Sequence, residues 1–198
     1  MSADLYKKIK DLENQVEILE KDLIHDKLTG LKTRGYFEEE AKIYFSLALS
    51  AENSHGSRRK QWFGFSNISF VFFDVDNFKN INDTLGHLVG DEVLKSVAET
   101  VRTSVREGDT AARWGGEEIV VTLVGATERD AMHKAEEIRR HVEETKFGKY
   151  PDLKITVSGG VASAHPGISF EETLERTDKA LYSAKHSGKN RIVAYSNL

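Results

Sequence analysis

Two pairs of carboxylates in this 198-residue chain stand where chemistry on phosphate groups could take place. Glu117 and Glu118 are adjacent, and they follow Gly115 and Gly116 directly. A Gly-Gly pair before an apolar run predicts a hairpin turn, because glycine takes a positive φ without steric cost. We expect this hairpin to hold two carboxylates beside bare backbone that a phosphate group can approach closely.

The second pair, Asp74 and Asp76, ends the apolar segment 68–73, which has the composition and length of a buried strand. Because side chains alternate along a strand, both aspartates should point to one face and Val75 to the other. Carboxylates are the oxygen ligands that Mg²⁺ prefers, with water and substrate phosphates in its remaining positions. The sequence therefore predicts a metal-dependent nucleotidyl site, and two solvated acidic turns are the alternative.

These motifs resemble those of the GGDEF-domain diguanylate cyclases, which make cyclic di-GMP from two GTP molecules. The resemblance runs from about Asp26 to Ile192, and its signature is segment 115–119. The other matching motifs are 26–31 with Arg34, 73–79, 82–83, 86–87, 90–91, 158–162, 178–182, 184–185 and 188–190. Thr33 stands where the family usually has Asn, and Ile119 where it usually has Phe. We expect both changes to be structural and to leave activity intact.

The resemblance implies a reaction in which the 3′-hydroxyl of one GTP attacks the α-phosphate of the other, with loss of pyrophosphate. A second, reciprocal attack then closes the ring. It also implies two Mg²⁺ (or Mn²⁺) ions per active site, held by Asp74, the backbone carbonyl of Val75, Glu117 and Glu118. Glu117 is the candidate to help deprotonate the hydroxyl. Gly115 and Gly116 complete the implied catalytic set by letting the backbone reach the phosphates.

Guanine selection is expected to rest on Asn82 and Asp91. An aspartate can accept hydrogen bonds from N1–H and N2–H₂ of guanine, a pattern that adenine lacks, and an asparagine can donate to the acceptors of guanine. Local sequence alone also fits a turn or cap for Asn82 and a helix N-cap for Asp91. The rest of the implied substrate-binding set is Phe78, Lys79, His87, Lys185 and Lys189. The lysines would act as point charges on phosphates, and an ordinary surface lysine is the alternative for Lys189.

Arg106 and Asp109 form an Arg-x-x-Asp motif, and five residues separate it from Gly115. One interpretation is a local ion pair, which contributes little when it is exposed. The resemblance implies instead an allosteric product site, in which the arginine pairs with phosphate and guanine and the aspartate with the guanine edge. We therefore expect feedback inhibition by cyclic di-GMP, with Arg139 or Arg140 supplying the partner surface.

The N-terminal segment carries a heptad pattern that could bring two copies together. Its apolar residues are spaced 4, 3, 4, 3, 4: Leu5, Ile9, Leu12, Val16, Leu19 and Leu23. We predict a parallel coiled-coil dimerisation helix over 1–25 and a cyclase domain over 26–198. An amphipathic helix packed on its own domain is the alternative. A homodimer would place two GTP half-sites face to face, and the heptads at the very start suggest an output domain with part of its linker.

The elements that must position these residues alternate between helices and strands. Helices are predicted over 34–50, from about 77, from after Gly90 to about 105, over 128–145 and over 170–187. Strands are predicted over 68–74, on both sides of the Gly-Gly pair, over 155–162 and over 192–195. Residues 52–61 predict a polar loop, and 62–65 either cap the core or form an apolar patch. This order predicts an α/β (α+β) sandwich with a mixed central sheet. The resemblance implies the nucleotidyl-cyclase arrangement, similar to a polymerase palm.

Composition excludes several classes of protein. Hydrophobic residues make up 39% and charged residues 30%, a globular mixture, and the absence of cysteine excludes disulfides and thiolate metal sites. There is no apolar run of membrane-spanning length, and a net charge of −4 offers no basic field for nucleic acid. We expect a cytoplasmic bacterial signalling enzyme. A catalytically weak domain that binds cyclic di-GMP or GTP as an effector is the alternative, and the acidic and glycine motifs disfavour a coiled-coil module without chemistry.

Overall fold

The structure, a computed structural model, describes residues 3–52 and 65–198. Most of the predicted loop at 52–61, and residues 62–64 after it, lie outside the described residues. The side chains of the heptad residues Leu5, Val16 and Leu19 lie outside the description as well.

The described chain alternates between helices and strands as the sequence predicts. In order, its elements are α1 (Ala3–Ile24), β1 (Lys32–Thr33), α2 (Arg34–Glu52), β2 (Ile68–Val75), α3 (Phe78–Leu85), α4 (His87–Ser104), β3 (Thr110–Gly115), β4 (Glu118–Val124), α5 (Glu128–Glu144), β5 (Val157–Ser163), α6 (Phe170–His186) and β6 (Ile192–Ala194), with a final 3₁₀ turn at Tyr195–Asn197.

These strands form one mixed sheet in the order β1-β3-β4-β2-β5-β6. β2 lies antiparallel between β4 and β5, and β3 lies antiparallel to β4. The short strands β1 and β6 pair in parallel with β3 and β5. The predicted mixed central sheet is thus confirmed, with the β2 carboxylates on a central strand.

Burial on both faces explains why β2 reads as a continuous apolar run. Its alternate residues Ile68, Phe70 and Phe72 pack with side chains of α2 and α6. Val71, Phe73 and Val75 pack on the opposite face with side chains of α3, α4 and α5. Val75 therefore lies on the face opposite α6, whereas Asp74 pairs with Lys185 of α6, as the predicted alternation requires.

Helix α6 lies unusually close to the sheet at Gly160. A Cβ atom there would lie 2.2 Å from the carbonyl oxygen of Thr177 and from the backbone nitrogen of Leu181. Real Cβ atoms do not approach backbone atoms this closely, so only glycine fits under the helix. This contact fixes α6 over the central strands and brings Lys185, near its C-terminus, to the end of β2.

Helix α4 begins at His87 rather than after Gly90, so Gly90 and Asp91 lie inside it. The N-cap interpretation of Asp91 is therefore wrong. The cap position is Gly86, which is both the C-cap of α3 and the N-cap of α4. Its φ of 87° breaks the helical backbone between them. Gly90 has a packing role instead, because a Cβ atom there would lie 2.0 Å from Oδ1 of Asn82.

The two residues that depart from the family pattern, Thr33 and Ile119, both make structural contacts. Ile119 is buried in the core. The Thr33 hydroxyl donates to the carbonyl oxygen of Leu23 at 2.6 Å and lies 3.4 Å from the backbone nitrogen of Tyr36. It therefore links the last turn of α1 to the first turn of α2.

The heptad residues of α1 whose side chains the structure describes are exposed. Leu12 and Leu23 are 52% and 73% exposed, and Ile9 is also exposed. This disfavours the alternative of an amphipathic helix packed on its own domain. Among the described residues, no helix is both long enough and apolar enough to cross a membrane.

Candidate active site

Sheet register brings the two acidic motifs to one end of the central strands. Asp74 on β2 pairs directly with Glu118 on β4, and on its other side with Ser158 on β5. The backbone nitrogen of Val75 donates to the carbonyl oxygen of Glu117 at 3.4 Å. The carboxylates that the sequence analysis selected separately therefore share one site.

The hairpin turn is placed one residue later than the sequence predicts. Gly115 pairs with Glu118, so Gly116 and Glu117 form the two-residue turn. Of these, Gly116 has a positive φ of 45°, as the first central residue of a type II′ turn requires. The shift arises from an irregularity between Arg113 and Gly115, which adds one residue to β3.

Arg113 ties this turn to Asp26, just after α1, a link that the sequence did not reveal. Its guanidinium donates to the carbonyl oxygen of Gly116 at 2.8 and 2.9 Å, and to the carboxylate of Asp26 at 3.2 and 3.3 Å. Asp26 also accepts from the backbone nitrogen and hydroxyl of Thr29. Burial opposes ionisation, but the Thr29 hydrogen bonds and the Arg113 charge hold the pKa of Asp26 below its ordinary value. The Asp-x-x-Thr spacing at 26–29 is typical of a turn that an aspartate side chain closes. It was the available sequence signal for the Asp26 part of this link.

Asp74 and Glu118 lie in an environment that disfavours their ionised forms. Burial raises the pKa of Asp74, and the nearby charges of Glu117 and Asp76 add to this, although the Lys185 ammonium opposes it at 2.7 Å. Burial also raises the pKa of Glu118, and the charge of Asp74 contributes. The Lys185 ammonium therefore does not fully offset the burial and the negative charge around these two carboxylates.

This donor set fits a hard divalent cation. No group of three or more His, Cys, Asp and Glu side chains surrounds a single point in the described parts of the chain. Mg²⁺, however, usually takes one or two protein carboxylates and completes its shell with water and substrate phosphates. Asp74 and Glu118 supply two such carboxylates where excess negative charge requires a partner, with Glu117 and the Val75 backbone next to them.

Asp76 departs from the sequence interpretation, which grouped it with Asp74 as cation-binding material. Its carboxylate accepts hydrogen bonds from the hydroxyls of Thr156 and Ser158, both at 2.7 Å, and from the backbone nitrogen of Asn190 at 3.0 Å. These three donors satisfy the buried carboxylate, so the hydrogen-bonding capacity of Asp76 is used within the protein.

Of the predicted guanine-selecting residues, Asn82 lies where α3 packs on α4, and Asp91 is on α4 directly after that contact. Asn82, on α3, lies against the backbone of Gly90, and Asp91 is the next residue of α4. Phe78 is buried and its ring lies at the same contact. His87 and Lys79 are exposed, at the starts of α4 and α3.

The two lysines at the end of α6 reach the β2 strand end. Lys185 forms the ion pair with Asp74, and Lys189 Nζ donates to Oδ1 of Asn77 at 2.5 Å. Lys189 is half-buried and bound, so it differs from the ordinary surface lysine that was the alternative.

The Arg-x-x-Asp motif lies at the other end of β4. Asp109 is 6% exposed and accepts from the backbone nitrogens of Val124 and Arg106 at 3.0 and 3.3 Å. Arg106 is 69% exposed and donates to the carbonyl oxygen of Val124. A cavity of about 350 Å³ opens beside them, with Asp130 and Lys134 on its wall. At about 3.3 Å per residue, β4 separates this motif from Glu118 by about 20 Å.

The two candidate arginines on α5 differ sharply. Arg139 is 11% exposed and donates to Glu136, Glu143 and Asn190. The hydrogen bonds with Glu136 raise the pKa of Arg139 above its ordinary value. Arg140 is 66% exposed and donates to Glu136 at 3.1 Å. Of the two, Arg140 is the one with its guanidinium on the surface.

Comparison with known proteins gives a consistent result. The family model "Diguanylate cyclase, GGDEF domain" matches residues 23–191. Diguanylate cyclase A of Treponema denticola is 39% identical over 179 residues, which cover 87% of this chain and 44% of the relative. Diguanylate cyclase DgcM of Escherichia coli K12 is 37% identical over 185 residues, which cover 93% and 41%. The chain thus spans less than half the length of these curated relatives.

Solved structures match over most of the chain. The coiled coil and GGDEF domain of DgcB from Caulobacter crescentus, in complex with c-di-GMP, has a TM-score of 0.83 at 30% identity and covers 97% of this chain and 96% of its own. The active GGEEF domain of a diguanylate cyclase from Vibrio cholerae has a TM-score of 0.73 at 31% identity, covering 82% and 96%. From its fold and its motifs, this chain belongs to the GGDEF domain family of diguanylate cyclases.

Proposed function

We propose that this chain is a diguanylate cyclase that condenses two GTP molecules into cyclic di-GMP and pyrophosphate. One observation carries the proposal: Asp74 and Glu118 face each other across β2 and β4, and burial raises the pKa of both. Excess negative charge beside an open glycine turn suits a site for cations and phosphates.

The cation ligands proposed are Asp74, the backbone carbonyl of Val75, Glu117 and Glu118, for two Mg²⁺ or Mn²⁺ ions. When bound, such ions lower the pKa of an attacking hydroxyl and neutralise charge on the phosphates. Glu117 lies in the turn and is half-buried, so it can accept the proton of a 3′-hydroxyl that enters over the hairpin. Gly116 leaves the backbone open on this side.

The chain's own cations are proposed to bind the triphosphate. Lys185 and Lys189 both reach the end of β2, and Lys79 lies exposed on α3 just after it. As flexible point charges, they can move from Asp74 and Asn77 to phosphate oxygens when substrate enters.

Guanine is proposed to bind between α3 and α4. Asn82 offers an amide at this helix contact, Asp91 offers a carboxylate one residue after Gly90 on α4, and buried Phe78 offers an apolar wall beside Asn82. His87, at the exposed start of α4, completes the proposed substrate set. An unprotonated aspartate selects guanine because only guanine presents two adjacent donors on that edge.

The reaction needs two half-sites, and α1 offers a way to join them. We propose that residues 1–25 form a dimerisation helix and that 26–198 form the cyclase domain. The exposed residues Ile9, Leu12 and Leu23 support this proposal, because a second helix would bury them. Each protomer of the homodimer would then contribute one bound GTP.

Product inhibition is proposed at the opposite end of the sheet. Exposed Arg106 and the Asp109 carboxylate border a cavity into which a guanine and a phosphate could bind. Arg140 is exposed and, although it is paired with Glu136, its guanidinium lies on the surface where a neighbouring domain could contact it, whereas Arg139 is engaged internally.

Incubation with GTP and Mg²⁺, followed by chromatography of the products, tests the proposal. We expect cyclic di-GMP and pyrophosphate from the wild type and neither from Glu117→Gln. If the wild type forms no product at high protein concentration but binds cyclic di-GMP, the chain is an effector domain and the proposal is wrong.

A further inference from the structure

Within the described part of the chain, every non-glycine residue with a positive φ lies in one small region. These residues are Asn77, Lys189 and Asn190, with φ angles of 57°, 62° and 46°. A left-handed backbone costs free energy for side chains other than glycine, least for asparagine, and it persists where the surrounding structure holds it. We call the region the Asp76 joint: the β2–α3 loop at 76–77 and the turn at 188–190 after α6.

Asp76 is the central side chain of this joint. It is 5% exposed, and its Oδ2 accepts both the Thr156 hydroxyl and the Asn190 backbone nitrogen, while its Oδ1 accepts the Ser158 hydroxyl. All three donors are neutral and come from segments far away along the chain. The carboxylate therefore fastens the turn at 188–190 to the central strands.

Asn190 extends the joint to helix α5. Its Oδ1 accepts from Arg139 at 2.5 Å, and its Nδ2 donates to Glu143 at 2.8 Å. Arg139 and Glu143 are themselves joined at 2.7 Å. The turn is thus held through its backbone by Asp76 and through its side chain by α5.

The position of Lys189 depends on these bonds. Because Asn190 is fixed on Asp76, Lys189 is directed across the joint, where its Nζ meets Asn77. Lys185 reaches Asp74 from the last turn of α6. Two cations are thereby directed at the β2 strand end, where the proposed triphosphate would bind.

We infer that Asp76 is a positioning residue, which holds Lys189 and the β2–α3 loop in place for substrate phosphates and does not bind the metal. This inference rests on the proposed function for its role in catalysis. It does not rest on it for the claim that Asp76 anchors the turn.

Asp76→Ala and Asp76→Asn separate positioning from metal binding. Asparagine keeps one oxygen for Asn190 and Thr156, and the Ser158 hydroxyl can rotate to accept from the new amide. Loss of the carboxylate removes the acceptor of three donors, of which Ser158 is buried, so we expect Asp76→Ala to raise the KM for GTP about tenfold, with a smaller change in kcat. Asp76→Asn should recover most of this loss, whereas a metal ligand would not tolerate the change.

Two measurements without turnover accompany the kinetics. In Asp76→Ala, exchange of the Asn190 amide hydrogen should be at least about tenfold faster than in the wild type. Titration with Mn²⁺ alone should give wild-type affinity for both Asp76 variants and weaker affinity for Asp74→Asn. Thr156→Val, which keeps the shape of the side chain, should raise the Asn190 exchange rate and the KM to intermediate values.

The inference is overturned if Asp76→Asn weakens Mn²⁺ binding as much as Asp74→Asn does. It is also overturned if Asp76→Ala and Thr156→Val both leave Asn190 exchange at the wild-type rate. A wild type without cyclase activity would refute the proposed function instead, and the exchange and Mn²⁺ measurements would still decide whether Asp76 anchors the turn or binds metal.

Discussion

The two ends of β4 hold acidic side chains in opposite electrostatic situations. At the hairpin end, Glu118 faces Asp74, and burial raises the pKa of both carboxyls. At the far end, the Asp109 side chain is also buried, but two backbone N–H groups donate to its carboxylate, and Nε of Arg106 lies 3.5 Å from it. Burial alone therefore does not mark a reactive carboxylate. The donors around it decide whether it needs a further cation.

Of all the variants, Asp74→Asn should have the largest effect on activity, because it removes a carboxylate from the hairpin end. We expect cyclic di-GMP formation to fall about 10³-fold, because several kcal/mol of charge stabilisation depend on this carboxylate in the proposed site. Asp83→Asn, which changes an exposed aspartate on α3, is the matched control. Initial rates at saturating GTP measure the effect, and a loss of less than about threefold would contradict the assignment of Asp74.

Gly160→Ala tests whether packing of α6 supports the hairpin end. The new methyl group would meet the backbone of α6 at 2.2 Å. We expect the free energy of unfolding to fall by about 3 kcal/mol, measured by urea denaturation. Gly35→Ala is the control, because nothing lies within 4 Å of a Cβ atom there. Equal stability of the two variants would mean that the close contact does not constrain α6.

Asp91→Ser sharpens the assignment of the guanine pocket at the hairpin end. Loss of a carboxylate that pairs with two guanine donors should reduce the preference for GTP over ATP about thirtyfold. Competition between the two nucleotides measures the preference. Glu92→Ser changes the neighbouring acidic residue, which pairs with Lys149 on the surface, and should leave the preference intact. Unchanged selectivity in Asp91→Ser would refute the assignment.

Arg106→Ala tests the far end of β4 alone. We expect the concentration of cyclic di-GMP that halves the rate to rise about tenfold, because one charged phosphate partner is lost. The initial rate without product should not change, since β4 separates the two sites. Arg102→Ala, another exposed arginine nearby, serves as the control. Product inhibition of wild-type strength in Arg106→Ala would disprove the proposed inhibitory site.

The smallest expected effect is the pH dependence of stability at the hairpin end. The folded state raises the pKa of Glu118 above its ordinary value of 4.5, so the folded protein binds more protons than the unfolded chain between these two values. Folding stability from this group therefore falls as pH rises through that window. In urea denaturation, Glu118→Gln should gain stability relative to the wild type as the pH rises above the ordinary pKa of 4.5. A constant difference would show that the carboxyl is not strained by its surroundings.

Asp26 should give the opposite sign. Hydrogen bonds from Thr29 and the Arg113 charge lower its pKa in the folded state. Its contribution to stability is present above the ordinary pKa of 3.8 and is lost as pH falls through the lower folded value. Through Arg113, the hairpin thus links two carboxyls with opposite effects. Glu118 lowers folding stability as the pH rises, whereas Asp26 contributes stability that is lost as the pH falls.

Local patterns were sufficient to predict most elements of the fold, although not the short strand β1 or the start of α4. The apolar run of β2, its alternation and the acidic residues at its end need only neighbours along the chain to be recognised. The helix predicted over 128–145 likewise follows from spacing along the chain, and the structure adds a capping box of Thr127 and Asp130 at its start. These features depend on backbone periodicity, which the sequence displays directly.

The missed features depend on contacts between distant residues. Gly90 resembles a helix boundary locally, yet its absence of a side chain serves the approach of Asn82 from another helix. Asp76 resembles a metal ligand locally, yet its donors come from Thr156, Ser158 and Asn190. No local pattern distinguishes these roles, because the deciding partners join only in the folded chain.

Divalent cation binding tests the contrast between the two ends of β4 most directly. Mn²⁺ would be titrated calorimetrically, with an unreactive GTP analogue, into the wild type, Glu118→Gln and Asp109→Asn. We predict that Glu118→Gln weakens Mn²⁺ binding at least about tenfold and that Asp109→Asn leaves it unchanged. Equal affinities in all three proteins, or weaker binding in Asp109→Asn alone, would contradict a cation site at the hairpin end.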